Sequence, residues 1–165
     1  MKLKIFLSVL FLSFFFISCN NDEEYETVSV AKPETMSLID FRASVKIELP
    51  TEIIESGKIF VYNNLVLVGD VHQGIHIIDN SNTKNPQKIA FIKILGNRDM
   101  EIKGNYLYAD SYMDLLVFDL SDINNIKQIA RLEDVLQTIM LAPAIDNVYV
   151  DYENFDENGV IIGWN

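Results

Sequence analysis

A repeat of about 40 residues constrains the fold of this chain more than any other feature of its sequence. When the chain is written over itself with a shift of 40 positions, Asp70 falls on Asp110 and Asp79 falls on Asp119. A fixed period of this length is typical of repeat architectures, in which each repeat is one supersecondary unit. Further matches in the same register are Ser81 with Ser121, Asn85 with Asn125, Ile89 with Ile129 and Ala90 with Ala130.

Each copy of the repeat has the pattern of four short strands. It reads as strand, tight turn, strand ending in Asp, short turn, strand ending in Asp, polar turn and strand, with no helical period. A third, looser copy follows in residues 147–151 and 159–164. The pattern predicts an all-β fold, namely an incomplete β-propeller built from four-stranded blades of about 40 residues. A β-sandwich is the alternative.

The boundaries of the domains follow from the repeat and from composition. Residues 19–40 are largely polar and acidic, which predicts a flexible tether. Residues 45–49 alternate between apolar and charged side chains and precede a proline, so we expect a half-buried strand there. The partial propeller is placed at residues 41–165, with repeats at about 58–97, 98–137 and, incomplete, 138–165.

The N-terminus has the features of an export signal. Lys2 and Lys4 precede an uncharged stretch that is shorter than the ~20 apolar residues of a membrane-spanning helix. The stretch leads into Phe16-Ile17-Ser18-Cys19, which resembles the lipobox of bacterial lipoproteins, although Phe16 stands where Leu is usual. The resemblance implies a signal peptide at residues 1–18 and lipid attachment at Cys19. An ordinary secretory signal with a chance Cys is the alternative.

The residues after the lipobox bear on localisation. Residues 20–24, Asn-Asn-Asp-Glu-Glu, resemble the signal that sends some Gram-negative lipoproteins to the outer face of the outer membrane. A solvated start of the tether is the alternative. We therefore expect a protein of the cell envelope whose partner is a membrane, bound through the lipid anchor. The expected membrane is the outer membrane, on either its periplasmic or its surface face.

Charge and cysteine content exclude several functional classes. The chain has 13 basic and 24 acidic residues, a formal net charge of −11. Nucleic-acid binding is disfavoured, because the phosphate backbone attracts Lys and Arg and repels a net acid. The single Cys rules out a disulfide framework and a zinc cluster built from cysteines.

Two histidines and an aspartate are the weak candidates for a metal site. Asp70, His72 and His76 lie close together in the sequence and offer the ligand types that divalent metals accept. Alternation along a strand sends neighbouring side chains to opposite faces, and the second copy has Tyr and Leu in place of the two His. The pattern therefore favours His72 in a turn and His76 packed in a strand, and we assign no metal, cofactor or catalytic residue.

The recurrent aspartates Asp70, Asp79, Asp110 and Asp119 are interpreted as structural. An active site needs its groups once, whereas these acids recur in each copy. We expect their side chains to accept hydrogen bonds from backbone N–H groups in the turns after the strands.

The units resemble LVIVD repeats, a family named after a strand consensus close to Leu115-Leu116-Val117-Phe118-Asp119. The first copy is also similar to that family, with a strand from Gly74 to Asp79 and a following Asn85-Pro86. In the second copy Asp114 replaces the Gly and Ile126 replaces the Pro. The resemblance extends from about Gly57 to Trp164 and implies a secreted or surface-anchored β-propeller without a settled activity.

The length of the repeat region bears on function. Residues 59–165 correspond to fewer than three blades, whereas closed propellers typically have about four to eight. We expect the N-terminal part of a longer protein, with closure by oligomerisation as the alternative. The expected function is a binding or scaffolding module for a protein or glycan ligand rather than an enzyme. The alternative is part of a propeller enzyme of the hydrolase type, with its active site in missing blades.

Overall fold

The computed structural model of the protein describes residues 29–137, 148–153, 156 and 158–165. Within these ranges the fold is all-β, as the repeat predicts, and no sheet is closed. None of the described helices is long and apolar enough to cross a membrane. The signal peptide, Cys19, the first part of the tether and residues 138–147 of the third repeat lie outside the described residues.

The described elements follow one another in this order. Short helical segments are α1 (Leu38–Ala43) and a 3₁₀ turn (Ile123–Asn125). The strands are β1 (Ser29–Ala31), β2 (Pro33–Ser37), β3 (Lys46–Glu48), β4 (Ser56–Tyr62), β5 (Leu65–Asp70), β6 (Gly74–Asp79), β7 (Gln87–Lys93), β8 (Met100–Lys103), β9 (Tyr106–Ser111), β10 (Asp114–Asp119), β11 (Lys127–Leu132), β12 (Val148–Val150) and β13 (Gly159–Trp164).

Two larger antiparallel sheets contain the two clear copies of the repeat. The first sheet has the order β3-β7-β6-β5-β4, and the second sheet has the order β11-β10-β9-β8. The strand expected near residues 45–49 is present as β3, at the edge of the first sheet beside β7. Ile47 and Leu49 are more exposed than their alternation predicts, because an edge strand has a neighbour on one side only.

The first two strands of each unit, β4 with β5 and β8 with β9, pair in the same register in both sheets. Ile59 lies opposite Val68 in the first sheet, and Met100 lies opposite Ala109 in the second, a displacement of 41 positions in each strand. Paired residues of antiparallel strands point to the same side of a sheet. We call the side that carries these four residues the back face of each sheet, and the opposite side the front face.

The main core lies between the front face of the first sheet and the back face of the second. Leu67 and Ile77 of the first sheet and Leu107 and Phe118 of the second are fully buried in it. Complete burial of such a side chain contributes about 1.5–3 kcal/mol. Other members of this core are Ile75, Ala90, Ile92, Ile94, Met100, Ala109, Leu116, Leu120 and Ile126.

The structure differs from the sequence-based expectation before residue 38. Residues 29–37, which we assigned to the tether, form β1 and β2, which pair with β12 and β13. Lys32 and Asn165 exchange two backbone hydrogen bonds of 2.8 and 2.9 Å beside these strands. The strands expected of the third copy are present as β12 and β13, but their partners are the N-terminal strands.

A second, smaller core attaches α1 to the second sheet. Ser37 caps this helix, because its Oγ accepts the N–H of Asp40 at 3.1 Å. Phe41 is fully buried, and its ring lies 5.7 Å from that of Tyr112 in the turn between β9 and β10. Val160 of β13 completes this core. The packing brings Arg42, the next residue of the helix, to the start of β10.

Candidate functional site

Asp79 and Asp119 accept hydrogen bonds from backbone N–H groups, as the sequence predicts. Each carboxylate accepts the N–H two positions further on, that of Ser81 or Ser121, at 2.8 Å. The Ser81 hydroxyl also donates to Asp79. Both aspartates end a strand of the repeat, so their recurrence is explained by the turn that follows.

Asp70 and Asp110 also bind backbone N–H groups, but not those of the turn after their own strand. Asp70 accepts from Ile54 and Glu55 at 2.9 and 2.8 Å. Asp110 repeats the arrangement in the second sheet at 2.8 and 2.9 Å, with the N–H groups of Arg98 and Asp99. These bonds fix the segment that leads into the first strand of each unit.

The weak metal candidates are only partly brought together. His76 Nε2 lies 3.1 Å from Asp70 Oδ2, and both side chains are buried. His72 has a positive φ in the turn after β5, and its ring stacks on Tyr112. His76 Nδ1 has no hydrogen-bond partner in the described part of the chain, and the His76 ring lies 4.5 Å from that of Phe91. Among the described residues no group of three metal-ligating side chains occurs. His72 lies in a turn, and His76 is packed in a strand.

The buried pair makes stability depend on pH through Asp70. Burial alone would raise the pKa of Asp70, but the N–H groups of Glu55 and Ile54 and the ring of His76 hold it below its ordinary value of 3.8. A carboxyl group whose pKa is lower in the folded than in the unfolded chain raises the free energy of unfolding. The full gain is present when the pH is above the pKa of the unfolded chain. That stability is lost as the pH falls through the folded pKa.

Replacing Asp70 with Asn is expected to lower the free energy of unfolding at neutral pH by about 1–3 kcal/mol, because a neutral amide is a weaker acceptor for these donors. It should also flatten the fall in stability below about pH 5. Urea unfolding at a series of pH values measures both effects. The control is Glu52→Gln, at a side chain that is 95% exposed. Parallel pH curves for Asp70→Asn and the unsubstituted chain would contradict the assignment.

A buried ion cluster surrounds Asp114, a residue for which the sequence predicts no role. The side chain of Asp114 is fully buried. Its carboxylate accepts hydrogen bonds from Arg42 at 3.0 and 3.2 Å, from Arg131 at 2.7 Å and from the N–H of Asp134 at 3.0 Å. Arg131 also donates to the carbonyl of Arg42 at 3.0 Å. The one signal in the sequence was that an acid replaces the glycine of the repeat at this position.

The electrostatics of this cluster are those of a structural group. Burial would raise the pKa of Asp114, but Arg42, the N–H of Asp134 and Arg131 together hold it below its ordinary value. The carboxylate therefore stays charged at neutral pH. All of its described donors belong to the chain, and they join the helix α1 to β11 and to the segment after it.

A shallow cleft of about 270 Å³ lies on the front face of the second sheet. Small-molecule sites typically enclose about 300–1,000 Å³. Lys58 forms ion pairs with two of the cleft's acids, at 2.9 Å to Asp99 and 3.6 Å to Glu101. The third acid, Asp110, accepts hydrogen bonds from backbone N–H groups. The cleft is therefore better suited to binding another molecule than to acid–base chemistry. Its remaining walls are Met100, Tyr108, Leu115 and Leu136.

Two outer sheet faces expose apolar side chains. On the back face of the first sheet Ile59 and Val61 are 61% and 66% exposed. On the front face of the second sheet Tyr106 and Leu132 are 43% and 44% exposed. With their half-buried neighbours these side chains form two surfaces. The back patch is Ile59, Val61, Val66 and Ile78, and the front patch is Tyr106, Tyr108, Leu115 and Leu132.

Comparison with known proteins assigns the repeat. The family model of the LVIVD repeat matches residues 55–89 and 97–128. The first match covers β4 to β6 and the start of β7, and the second covers β8 to β10 and the start of β11. No curated protein and no solved structure matches the chain. Each of these two units, one antiparallel sheet with its recurrent aspartates, is therefore an LVIVD repeat.

Proposed function

We propose that this chain is a binding or scaffolding module of the cell envelope, in which the two sheets are successive blades of a propeller-like array. The observation that carries the proposal is the front-to-back packing of the two repeats. Because that packing uses one face of each sheet, it leaves the back patch and the front patch at opposite ends of the pair. Contiguous apolar surface of this kind marks interaction sites.

The chemistry of the patches favours a protein ligand. Neither patch contains a charged residue, and six of the eight side chains are Ile, Val or Leu. Aliphatic side chains offer a glycan few hydrogen bonds, whereas they match the apolar centre of a protein interface. The recurrent acids are already bonded to backbone N–H groups, which supports a structural rather than a catalytic use of them.

Photo-crosslinking in intact cells tests the binding function. Benzoylphenylalanine at Val61 or Leu132 is expected to give a discrete adduct with a protein, while the same group at Ile39 is not. Ile39 is 82% exposed on α1 and belongs to neither patch, which makes it a matched control. Equal labelling from all three positions, or adducts from none of them, would count against the proposed function.

Lipid attachment at Cys19 is the second part of the proposal. The basic start, the short apolar stretch and the Cys at its end support it. Each buried methylene of an acyl chain contributes about 0.8 kcal/mol, so an anchor with several chains binds a membrane effectively irreversibly. The acidic cluster Asp22-Glu23-Glu24 supports the outer membrane as the destination.

Cys19→Ala is expected to abolish incorporation of labelled palmitate and to move the chain out of the detergent-extractable outer-membrane fraction. The reason is that the acyl chains have no other attachment point. Membrane fractionation with immunoblotting measures the change, and Ser18→Ala, which leaves the thiol in place, is the control. If Cys19→Ala stays in the membrane and is processed as before, the anchor is not at Cys19.

A further inference from the structure

We propose that the partner of the two patches is a second copy of this chain, whose back patch docks on the front patch of the first copy. The inference rests on the proposed function, because it names the partner of the same surface. The contact would repeat, between chains, the packing that joins the two sheets within one chain.

The back patch of the first sheet has the same layout as the surface that the second sheet already buries. In the first sheet Val61 lies opposite Val66, and Val66 lies opposite Ile78. In the second sheet Ile102, Leu107 and Phe118 have the same pairing, and they pack into the main core. Equal register and apolar character therefore give the two back faces the same kind of docking surface.

The front patch of the second sheet resembles the front face of the first sheet, which packs against the back face of the second sheet in the main core. In the first sheet Ile75 and Ile77 pair with Ile92 and Ala90 and point into the main core. At the equivalent places of the second sheet the front face carries Leu115 paired with Leu132, and Val117 paired with Ala130. The occupied and the exposed front faces thus share the pairing and the apolar character of these two strands. They differ on the first strand, where Glu101 and Lys103 stand in the places of Phe60 and Tyr62.

Such an association is head-to-tail, because each copy uses two different surfaces. A heterologous contact closes into a ring if the rotation between neighbours allows it. The patch residues are uncharged, but Asp99, Glu101 and Asp110 line the cleft beside the front patch, and the sequence carries a net charge of −11. Added salt should therefore strengthen the association by screening the repulsion between copies.

The test uses the full chain as it is processed in the cell, purified in a density-matched detergent and studied by sedimentation. The unsubstituted chain is expected to form oligomers in a concentration-dependent way. Val61→Glu removes the back patch and Leu132→Glu removes the front patch. Each variant alone should associate at least about tenfold more weakly, since a buried unpaired charge is costly in an interface. The matched control Ile39→Glu should associate like the unsubstituted chain.

Mixing the two variants gives the sharpest result. Val61→Glu keeps an intact front patch and Leu132→Glu keeps an intact back patch, so an equimolar mixture should form heterodimers and no larger species. Recovery in the mixture also shows that both variants are folded. A symmetric contact would behave differently, because one of the two variants would still dimerise with itself. That result would overturn the proposal.

The outcome also separates this inference from the function on which it rests. A chain that stays monomeric over the whole concentration series overturns self-association. If Val61 and Leu132 then crosslink to another envelope protein, the binding function stands and its partner is different. If no adduct forms at either position, both proposals fail.

Discussion

Replacing Asp114 with Ala is expected to lower the free energy of unfolding by about 3–5 kcal/mol, because it leaves the largely buried Arg131 without its described ion-pair partner. Arg42 keeps ion pairs with Glu133 and Asp134. Arg42 and Arg131 are mostly buried and both direct their guanidinium groups at this carboxylate. A loss of this size is a large share of the ~5–15 kcal/mol that stabilises a typical domain. Urea unfolding of the full chain, followed by far-UV circular dichroism, measures it.

The control for this prediction is Asp119→Ala. Asp119 lies on the same strand and also accepts a backbone N–H, but its neighbour is Ser121 rather than a pair of arginines. We expect the control to cost about 1 kcal/mol, the usual contribution of one such hydrogen bond. A cost for Asp114→Ala no greater than that of Asp119→Ala would show that the ion cluster does not hold α1 to the second sheet.

Gly74→Ala is expected to have an effect of similar or greater size, about 4 kcal/mol or more, which is exceptional for a single substitution. Gly74 has a φ of +145°, a conformation that residues other than glycine rarely adopt. A Cβ atom there would lie 2.1 Å from the carbonyl oxygen of Ile92 and 2.9 Å from the N of Ile94. Both atoms belong to backbone, so the first sheet would have to open between β6 and β7.

Gly104→Ala separates the steric part of this effect from the conformational part. Gly104 also has a positive φ, +62°, but a Cβ atom there would meet nothing within 4 Å. The cost expected for the left-handed conformation alone is about 1–2 kcal/mol. Thermal and urea unfolding of the two variants should therefore differ clearly. Equal losses of stability would mean that close backbone packing at Gly74 is not needed for the sheet.

Gly74 and Asp114 occupy the same position in the two repeats, and they show how far the repeat could be predicted from the sequence. Gly74 and Asp114 open the third strand of their units, and the sequence identified Asp114 only as a departure from the motif. In the first unit three residues join the strands between Asp70 and Gly74, and in the second only two lie between Ser111 and Asp114. This shorter turn could not be recognised from spacing, because Asp110 still aligns with Asp70.

Most of the predictions that depended on local chemistry were confirmed. Strand alternation, turn residues and the spacing from Asp79 to Ser81 act over a few residues, so the sequence alone determined the repeat units and the turn bonds of Asp79 and Asp119. For Asp70 and Asp110 the predicted turn was wrong, because their N–H donors belong to the segments that precede the first strand of each unit. The expectation for His76 also followed from its strand pattern, and the structure places it in a packed position.

The tertiary structure decided which distant segments meet. Arg42 reaches Asp114 across 72 positions of sequence, and β1 and β2 pair with strands more than a hundred positions away. The sequences of β1, β2 and α1 contain no periodic pattern that predicts their partners. Their contacts depend on which surfaces remain to be buried once the two sheets have packed. The sequence by itself therefore determined the repeat and its turns. The front-to-back order of the sheets, the ion cluster and the two exposed patches arise only when the chain is packed in three dimensions.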